Sequence, residues 1–158
     1  MAFQSNVRPN LTGAFAGDIV LAGPTRAQTG VIVSATEANN IIGRALTHVA
    51  AQDARFAVGG TGTFAGIFSG RNQYVSAEMR ASMAVPNNTV VEAVTMTSGI
   101  AVMLDSSGAI GDAIAYKPDG TLVAAPGGTA PGGSTLIEGS KIVRHNIPAA
   151  GLAIVQLT

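Results

Sequence analysis

The sequence contains no cysteine and no tryptophan among its 158 residues. Without cysteine the chain has neither a disulfide framework nor thiol chemistry, and this leaves its compartment open. Aromatic residues make up only 4% of the chain. Because a surface that stacks on sugars needs exposed aromatic rings, this composition disfavours a glycan-binding domain.

Charged residues are also scarce, at 11% of the chain against a usual share of about 25%. Nine basic and nine acidic side chains cancel. The basic residues are scattered along the sequence: Arg8, Arg26, Arg44, Arg55, Arg71, Arg80, Lys117, Lys141 and Arg144. Since phosphate binding needs clustered lysine and arginine, we predict no nucleic-acid partner. Weak charge favours faces that are covered by copies of the chain or by a partner protein.

Long hydrophobic runs are absent as well. None approaches the roughly 18 apolar residues of a membrane-spanning helix, and Met1–Arg8 lacks the basic region and apolar block that open a signal peptide. We therefore expect a soluble protein that is not exported and has no membrane partner. The length suits one domain, which buries about 68–70% of the surface of its unfolded state.

Residue patterns that carry chemistry are missing too. His48 and His145 have no histidine, cysteine or carboxylate at metal-ligand spacing. Asp105 and Asp112 flank a Ser-Ser-Gly turn but lack the acidic ladder and terminal glutamate of a calcium loop. No Gly-x-Ser-x-Gly elbow marks a hydrolase nucleophile. We predict no catalytic residue, no metal, no cofactor and no enzymatic activity.

The glycine-rich stretch Gly59–Gly66 invites comparison with nucleotide-binding loops. A dinucleotide fingerprint needs Gly-x-Gly-x-x-Gly between a strand and a helix, and a P-loop ends in Gly-Lys-Ser/Thr. Here the third glycine comes one position late, lysine is absent, and Ile67-Phe68 continues as a strand pattern. We interpret the stretch as a flexible turn before a strand.

The clearest structural pattern runs from Val85 to Ala125, where runs rich in Val, Ile and Thr alternate with turns. It predicts an antiparallel meander whose four strands are residues 90–97, 100–104, 110–116 and 121–125. Breaks are expected at Ser98-Gly99, Asp105–Gly108 and Lys117–Gly120. In the last turn proline presets φ, aspartate bonds its own backbone and glycine accepts positive φ. Further strands are predicted at residues 18–22, 30–34, 136–137, 141–147 and 152–157.

The segment from Thr36 to Phe56 is ambiguous. Its apolar residues recur at helical spacing, which favours an amphipathic helix. Gly43 weakens a helix by about 1 kcal/mol, and Arg44–Val49 alternates like a strand. Periodicity alone leaves helix and strand open.

The N-terminal residues 1–15 carry an apolar residue at every fourth position: Phe3, Val7, Leu11 and Phe15. In an extended chain this spacing puts all four on one side, and Pro9 and Gly13 argue against a helix. Two readings stay open: an extended arm with one apolar face, or an ordinary first strand of the protein's own core. We divide the chain into an arm, residues 1–15, and a single β domain, residues 16–158.

A tandem repeat interrupts the second half of that domain. Ala125-Pro-Gly-Gly-Thr129 is followed directly by Ala130-Pro-Gly-Gly-Ser134. Two Pro-Gly-Gly units offer little to pack, so residues 125–134 are predicted to form a mobile surface loop outside the core.

Several segments, in this order along most of the chain, resemble the capsid decoration or structural cement proteins of tailed bacteriophages. They are Met1–Gln4 with Val7, Ala16–Asp18, Ile42–Ala45, Gly66–Val75, Met83–Pro86 and Tyr116–Thr121. The resemblance implies a mostly β fold, a compact antiparallel barrel or sandwich with an extended N-terminal arm. It also favours strand over helix for Thr36–Phe56.

The resemblance further implies a function without a reaction. Such a protein is made in the host cytoplasm, binds the outer surface of the phage head, and bridges and stabilises neighbouring major capsid proteins. Phe3, Gln4, Val7, Leu11 and Phe15 of the arm are the expected capsid-interaction residues. By analogy we expect a homo-oligomer, with a trimer favoured over a dimer. The alternative is another virion-associated β-rich structural or host-adhesion domain.

Overall fold

A computed structural model describes residues 14–50, 52–70 and 84–158. Within these residues the chain is mostly β, as expected. The strands are β1 (Thr25–Ile32), β2 (Ala45–His48), β3 (Arg55–Val58), β4 (Phe64–Ser69), β5 (Val90–Leu104), β6 (Ala113–Tyr116), β7 (Leu122–Ala125), β8 (Thr135–Ile137), β9 (Ser140–Arg144) and β10 (Gly151–Leu157). They belong to one hydrogen-bonded sheet of ten strands. The helical turns Glu37–Asn39 and Pro126–Gly128 are three residues each.

The 15-residue strand β5 joins the two halves of the molecule. The predicted break at Ser98-Gly99 is wrong, because β5 runs straight through it. Gly99 accepts a hydrogen bond from Val20 N–H at 2.9 Å, and a Cβ on Gly99 would lie 2.6 Å from Leu21 Cγ. This glycine therefore lets a neighbouring segment approach the strand rather than turning the chain.

The first half of β5 completes a closed cycle of pairings. β1 pairs with β5, β5 with β4, β4 with β2, β2 with β3, and β3 returns to β1. The β1–β3 pairing is parallel and the other four are antiparallel. The cycle encloses a core of fully buried side chains that includes Ile32, Leu46, Phe56, Phe68 and Val91.

The second half of β5 lies over a separate core. β10 pairs with β5 along one edge and with β9 along its other edge. β7 is joined to β5 in parallel at Leu104 and Leu122, and β6 and β8 follow beyond β7. The enclosed side chains include Ile100, Ile114, Tyr116, Ile142 and Val155. The predicted four-strand meander is thus wrong, because β6 pairs with β7 and β8 and not with β5.

The hairpin between β6 and β7 forms as predicted. Gly120 N–H donates to Lys117 O at 2.8 Å, Lys117 N–H donates to Thr121 O at 2.9 Å, and Gly120 has φ of 81°. The side chain of Asp119 accepts a hydrogen bond from Thr121 N–H at 3.0 Å. The turn therefore forms because Pro, Asp and Gly each favour its backbone geometry locally.

The ambiguous segment Thr36–Phe56 contains strand β2 and the start of β3, with one 3₁₀ turn before them. The helix alternative is wrong. Three successive residues of β2, Ala45, Leu46 and Thr47, are buried, because Ala45 faces one core and Leu46 the other. A strand buried on both faces loses the alternation that identifies strands in a sequence.

Two early strand predictions are corrected. Residues 18–22 form only an isolated bridge between Ile19 and Ile100. The strand predicted at 30–34 is the end of β1, which begins at Thr25 and ends at Ile32. At the chain's end the strands predicted at 136–137 and 152–157 are confirmed by β8 and β10. The strand predicted at 141–147 is confirmed only as far as Arg144, where β9 ends, and His145 after it has a positive φ of 69°. The apolar last strand is paired on both edges.

The loop 125–134 lies largely at the surface and folds as two equivalent turns. Thr129 N–H donates to Pro126 O at 3.3 Å, and Ser134 N–H donates to Pro131 O at 3.1 Å. Ala130, between the turns, packs against the small cluster of Ala115, Val123 and Ala125. The expectation that the repeat takes no part in packing is therefore wrong for Ala130 and for Ala125, which ends β7 and is fully buried. The mobility of the loop stays a prediction.

Candidate functional site

The described residues contain no cluster of three or more His, Cys, Asp or Glu that could hold a metal ion. Both histidines are exposed. His48 Nε2 lies 3.3 Å from Gln28 Nε2, and His145 sits in a left-handed backbone conformation with φ of 69°. Within the same residues, no helix is long and apolar enough to cross a bilayer.

The two aspartates considered for a cation hold structure instead. Asp105 forms an ion pair with Lys117, with Oδ2 2.7 Å from Nζ. This hydrogen bond raises the pKa of Lys117. Asp112 Oδ2 accepts a hydrogen bond from Ala109 N–H at 2.8 Å. The two carboxylates therefore stabilise neighbouring turns through contacts within the protein.

Asp119 belongs to the same β6–β7 turn. Partial burial acts to raise its pKa, but hydrogen bonds from Thr121 N–H and Oγ1 and the nearby Arg44 lower the pKa on balance. Arg44 also donates from its guanidinium to Asp119 O at 3.0 Å. These contacts fasten the turn to the segment before β2.

The glycine-rich stretch joins the two halves of the molecule. Gly59 N–H donates to Ala45 O at 2.9 Å, and Gly60 N–H donates to Pro118 O at 2.8 Å. A Cβ on Gly59 would overlap Pro118 O and Gly120 N. The N–H groups of Gly59 and Gly60, which a nucleotide loop would turn toward phosphate, are already bonded within the protein. These contacts argue against a nucleotide loop, and Gly59 and Gly60 form a close-packed junction with the β6–β7 turn.

Among the predicted capsid-interaction residues, Phe3, Gln4, Val7 and Leu11 lie outside the described residues. Phe15 is described, and at 82% exposure it is the most exposed large hydrophobic side chain of that part of the chain. Its backbone is fixed: Phe15 N–H donates to Asp18 Oδ2 at 2.9 Å, and Asp18 N–H donates to Phe15 O at 3.1 Å. An aromatic ring is thus held in solvent by an ordered turn.

The chain after Phe15 is bound to the body. Gly17 N–H donates to Ala101 O at 2.7 Å, Ala101 N–H donates to Asp18 O at 2.8 Å, and Gly70 N–H donates to Gly17 O at 3.3 Å. These bonds attach the segment to β5 and to the end of β4. They fit a boundary between an arm and a β domain near residue 15, which stays a prediction.

Sequence reasoning missed a second surface, which we name the loop end: residues 106–112, 126–134 and 145–151. Its loops meet around Ile147, whose N–H and O both bond to Gly108 at 2.8 and 2.9 Å. Ile110, in the first loop, is 54% exposed. The sequence feature that could have indicated this surface is the run of uncharged residues Ile147–Gly151. That run alone does not predict a surface, because the other two loops come from distant parts of the chain.

Comparison with known proteins identifies the family of the chain. Residues 3–158 match the family model described as structural cement protein (E217 gp24/Pam3 gp6). The chain belongs to this phage family. As a cement-family protein it is a structural protein of the virion that stabilises the head, and it is not an enzyme. The resemblance stated from the sequence is confirmed.

One solved structure adds evidence on the fold of this cement-family chain. A chain in the capsid of Myoviridae phage XM1 is similar over 100% of this chain and 98% of its own, with a TM-score of 0.65 and 16% identity. The head fibre gp8.5 N base of bacteriophage phi29 covers 85% of this chain and 95% of its own, with a TM-score of 0.47 and 14% identity. No curated protein matches the sequence significantly. The XM1 likeness supports the fold alone.

Proposed function

We propose that this protein binds the outer surface of an assembled phage head and bridges neighbouring major capsid proteins. Membership of the cement family over residues 3–158 carries the proposal. The protein is made in the host cytoplasm and joins the virion as an external component. We further infer that the closed cycle formed by β1 to β5 is a small barrel, which supplies the rigid body of such a cement.

The N-terminal arm, residues 1–15, makes a large share of the attachment in this proposal. Phe3, Val7, Leu11 and Phe15 enter an apolar groove on neighbouring subunits, and Gln4 adds a polar contact. Ordering fifteen residues costs more conformational entropy than four apolar side chains recover. The arm therefore also adds main-chain hydrogen bonds to a sheet edge of the capsid, or is ordered beforehand by its own oligomer.

The protein acts as a homo-oligomer in this proposal, with a trimer favoured over a dimer. A symmetric cement engages several capsid subunits at once, because a shell presents symmetry-related sites. The low charged fraction of 11% supports faces covered by copies or by the shell. Mass measurement of the bound protein with its site count checks the state, and isolated monomers at general positions would contradict it.

Sedimentation with capsids tests the function itself. Purified protein is mixed with undecorated, expanded heads of the phage that encodes it, and pelleted protein is counted per head. We expect saturable binding at a stoichiometry set by the shell symmetry. Heads that pellet without the protein at any concentration would refute the proposal, and specific binding to a host glycan array would support the adhesion alternative.

A further inference from the structure

Hydrogen bonds hold two of the three loops of the loop end together, residues 106–112 and 145–151. Gly108 and Ile147 form a β-bridge between the first and third loops. Ile110 N–H donates to Asn146 Oδ1 at 2.9 Å and joins the same two loops again. Asp112 holds the turn through Ala109 N–H. A partner that binds these two loops meets a preformed arrangement, so little ordering of them opposes the binding.

This surface contains a shallow, open cleft of about 500 Å³. Apolar groups form most of its wall: Gly108, Ala109, Pro126, Ile147 and Pro148. Pro126 and Pro148 of this wall are exposed, and so are Ile110, Ala149 and Ala150 in the same loops. Exposed apolar residues gathered around a concave site are typical of a place where another polypeptide docks.

The few charged side chains of the loop end indicate which kind of partner it can bind. Asp112 is the one charged side chain of the loop end, with both histidines taken as neutral at pH 7, and Arg144 precedes the third loop. Asp112 belongs to the wall of the cleft, where its Oδ2 already accepts a hydrogen bond from Ala109 N–H. The surface is thus poor in charge, and its one carboxylate is bonded within the protein, as expected of the charge-depleted core of a protein–protein interface. A phosphate-bearing partner finds no cluster of cations here. The complementary occupant is an uncharged, apolar polypeptide loop.

We propose that the loop end is a second contact with the phage head, and that its cleft receives an uncharged apolar loop of a major capsid protein. This inference rests on the proposed function and adds the partner surface to it. The head is then held at two places on each cement protein, by the arm and by the loop end. Two linked contacts raise the total affinity above that of either one.

A matched pair of substitutions tests the proposal. Ile110→Asp places a charge beside the cleft of the loop end. Val90→Asp is the control: Val90 and Ile110 are similarly exposed, at 59% and 54%. Val90 begins β5, whereas the loop end follows the opposite end of that strand. Ala149→Asp serves as an independent second variant in the third loop. All three side chains are exposed, so thermal unfolding followed by circular dichroism should show similar melting temperatures.

Sedimentation with undecorated heads gives the readout. We expect Ile110→Asp and Ala149→Asp to weaken binding at least tenfold, which corresponds to about 1.4 kcal/mol, while Val90→Asp binds like the wild type. Wild-type affinity in both loop-end variants would overturn the inference and leave the proposed function intact. An equal loss in Val90→Asp would also overturn it. A changed mass of free Ile110→Asp would assign the loop end to contacts between copies instead, and failure of the wild type to bind would refute the proposed function and this inference with it.

Discussion

Substitution of Gly59 by alanine tests the junction between the two halves of the fold. Gly59 has φ of 65°, and its missing Cβ would overlap backbone atoms of Pro118 and Gly120. Backbone atoms cannot move aside as a flexible side chain can. Positive φ costs an alanine about 1–2 kcal/mol, and forcing extra volume into a packed site costs about 1–3 kcal/mol. We expect Gly59→Ala to lower the free energy of unfolding by about 2–5 kcal/mol on the sum of these terms.

Gly127→Ala is the matched control. Gly127 has φ of 63°, and a Cβ there meets no atom within 4 Å. It therefore carries the conformational cost without the overlap, about 1–2 kcal/mol. Urea titration followed by circular dichroism measures both variants against the wild type. If the two variants lose the same stability, backbone contact at the junction does not contribute and the close-packed description is wrong.

Three other predictions concern the arm, the repeat and pH. Removing residues 2–12 should leave the melting temperature nearly unchanged and weaken head binding at least tenfold, about 1.4 kcal/mol; an unfolded truncated protein would show that the arm is an ordinary first strand. Deleting one five-residue repeat unit should lower the melting temperature by less than about 5 °C, because over 1 kcal/mol is needed for that shift in a chain of this size; a larger drop would show that packing by Ala130 matters more than we infer. Because the pKa of Asp119 is lowered in the folded state, its contribution is present above the unfolded pKa and disappears as pH falls through the folded value. Thermal scans between pH 6 and pH 2 should therefore show a smaller acid-induced loss in Asp119→Asn than in the wild type, and identical pH profiles would contradict this.

The sequence by itself determined the features that depend on neighbouring residues. The Lys117–Gly120 turn forms because proline, aspartate and glycine each favour its backbone geometry locally. The short final strands follow from apolar runs between turn residues. The absence of a catalytic pattern pointed away from an enzyme, and the ordered set of weak motifs was enough to identify the cement family. The function was thus accessible from the sequence largely through resemblance.

Tertiary structure alone decided which strands pair. Ser98-Gly99 looks like a turn locally, but β5 continues through it because Leu21 and Val20 pack and bond against the glycine. Periodicity left β2 open between helix and strand, and its burial on both sides was not visible, because Ala45 and Leu46 face different cores. Gly59 looked like a flexible turn until Pro118 and Gly120 were found against it, and the loop end exists only where Gly108 and Ile147 meet. Each of these depends on residues far apart in the chain, and neither propensity nor periodicity in a local window contains that information.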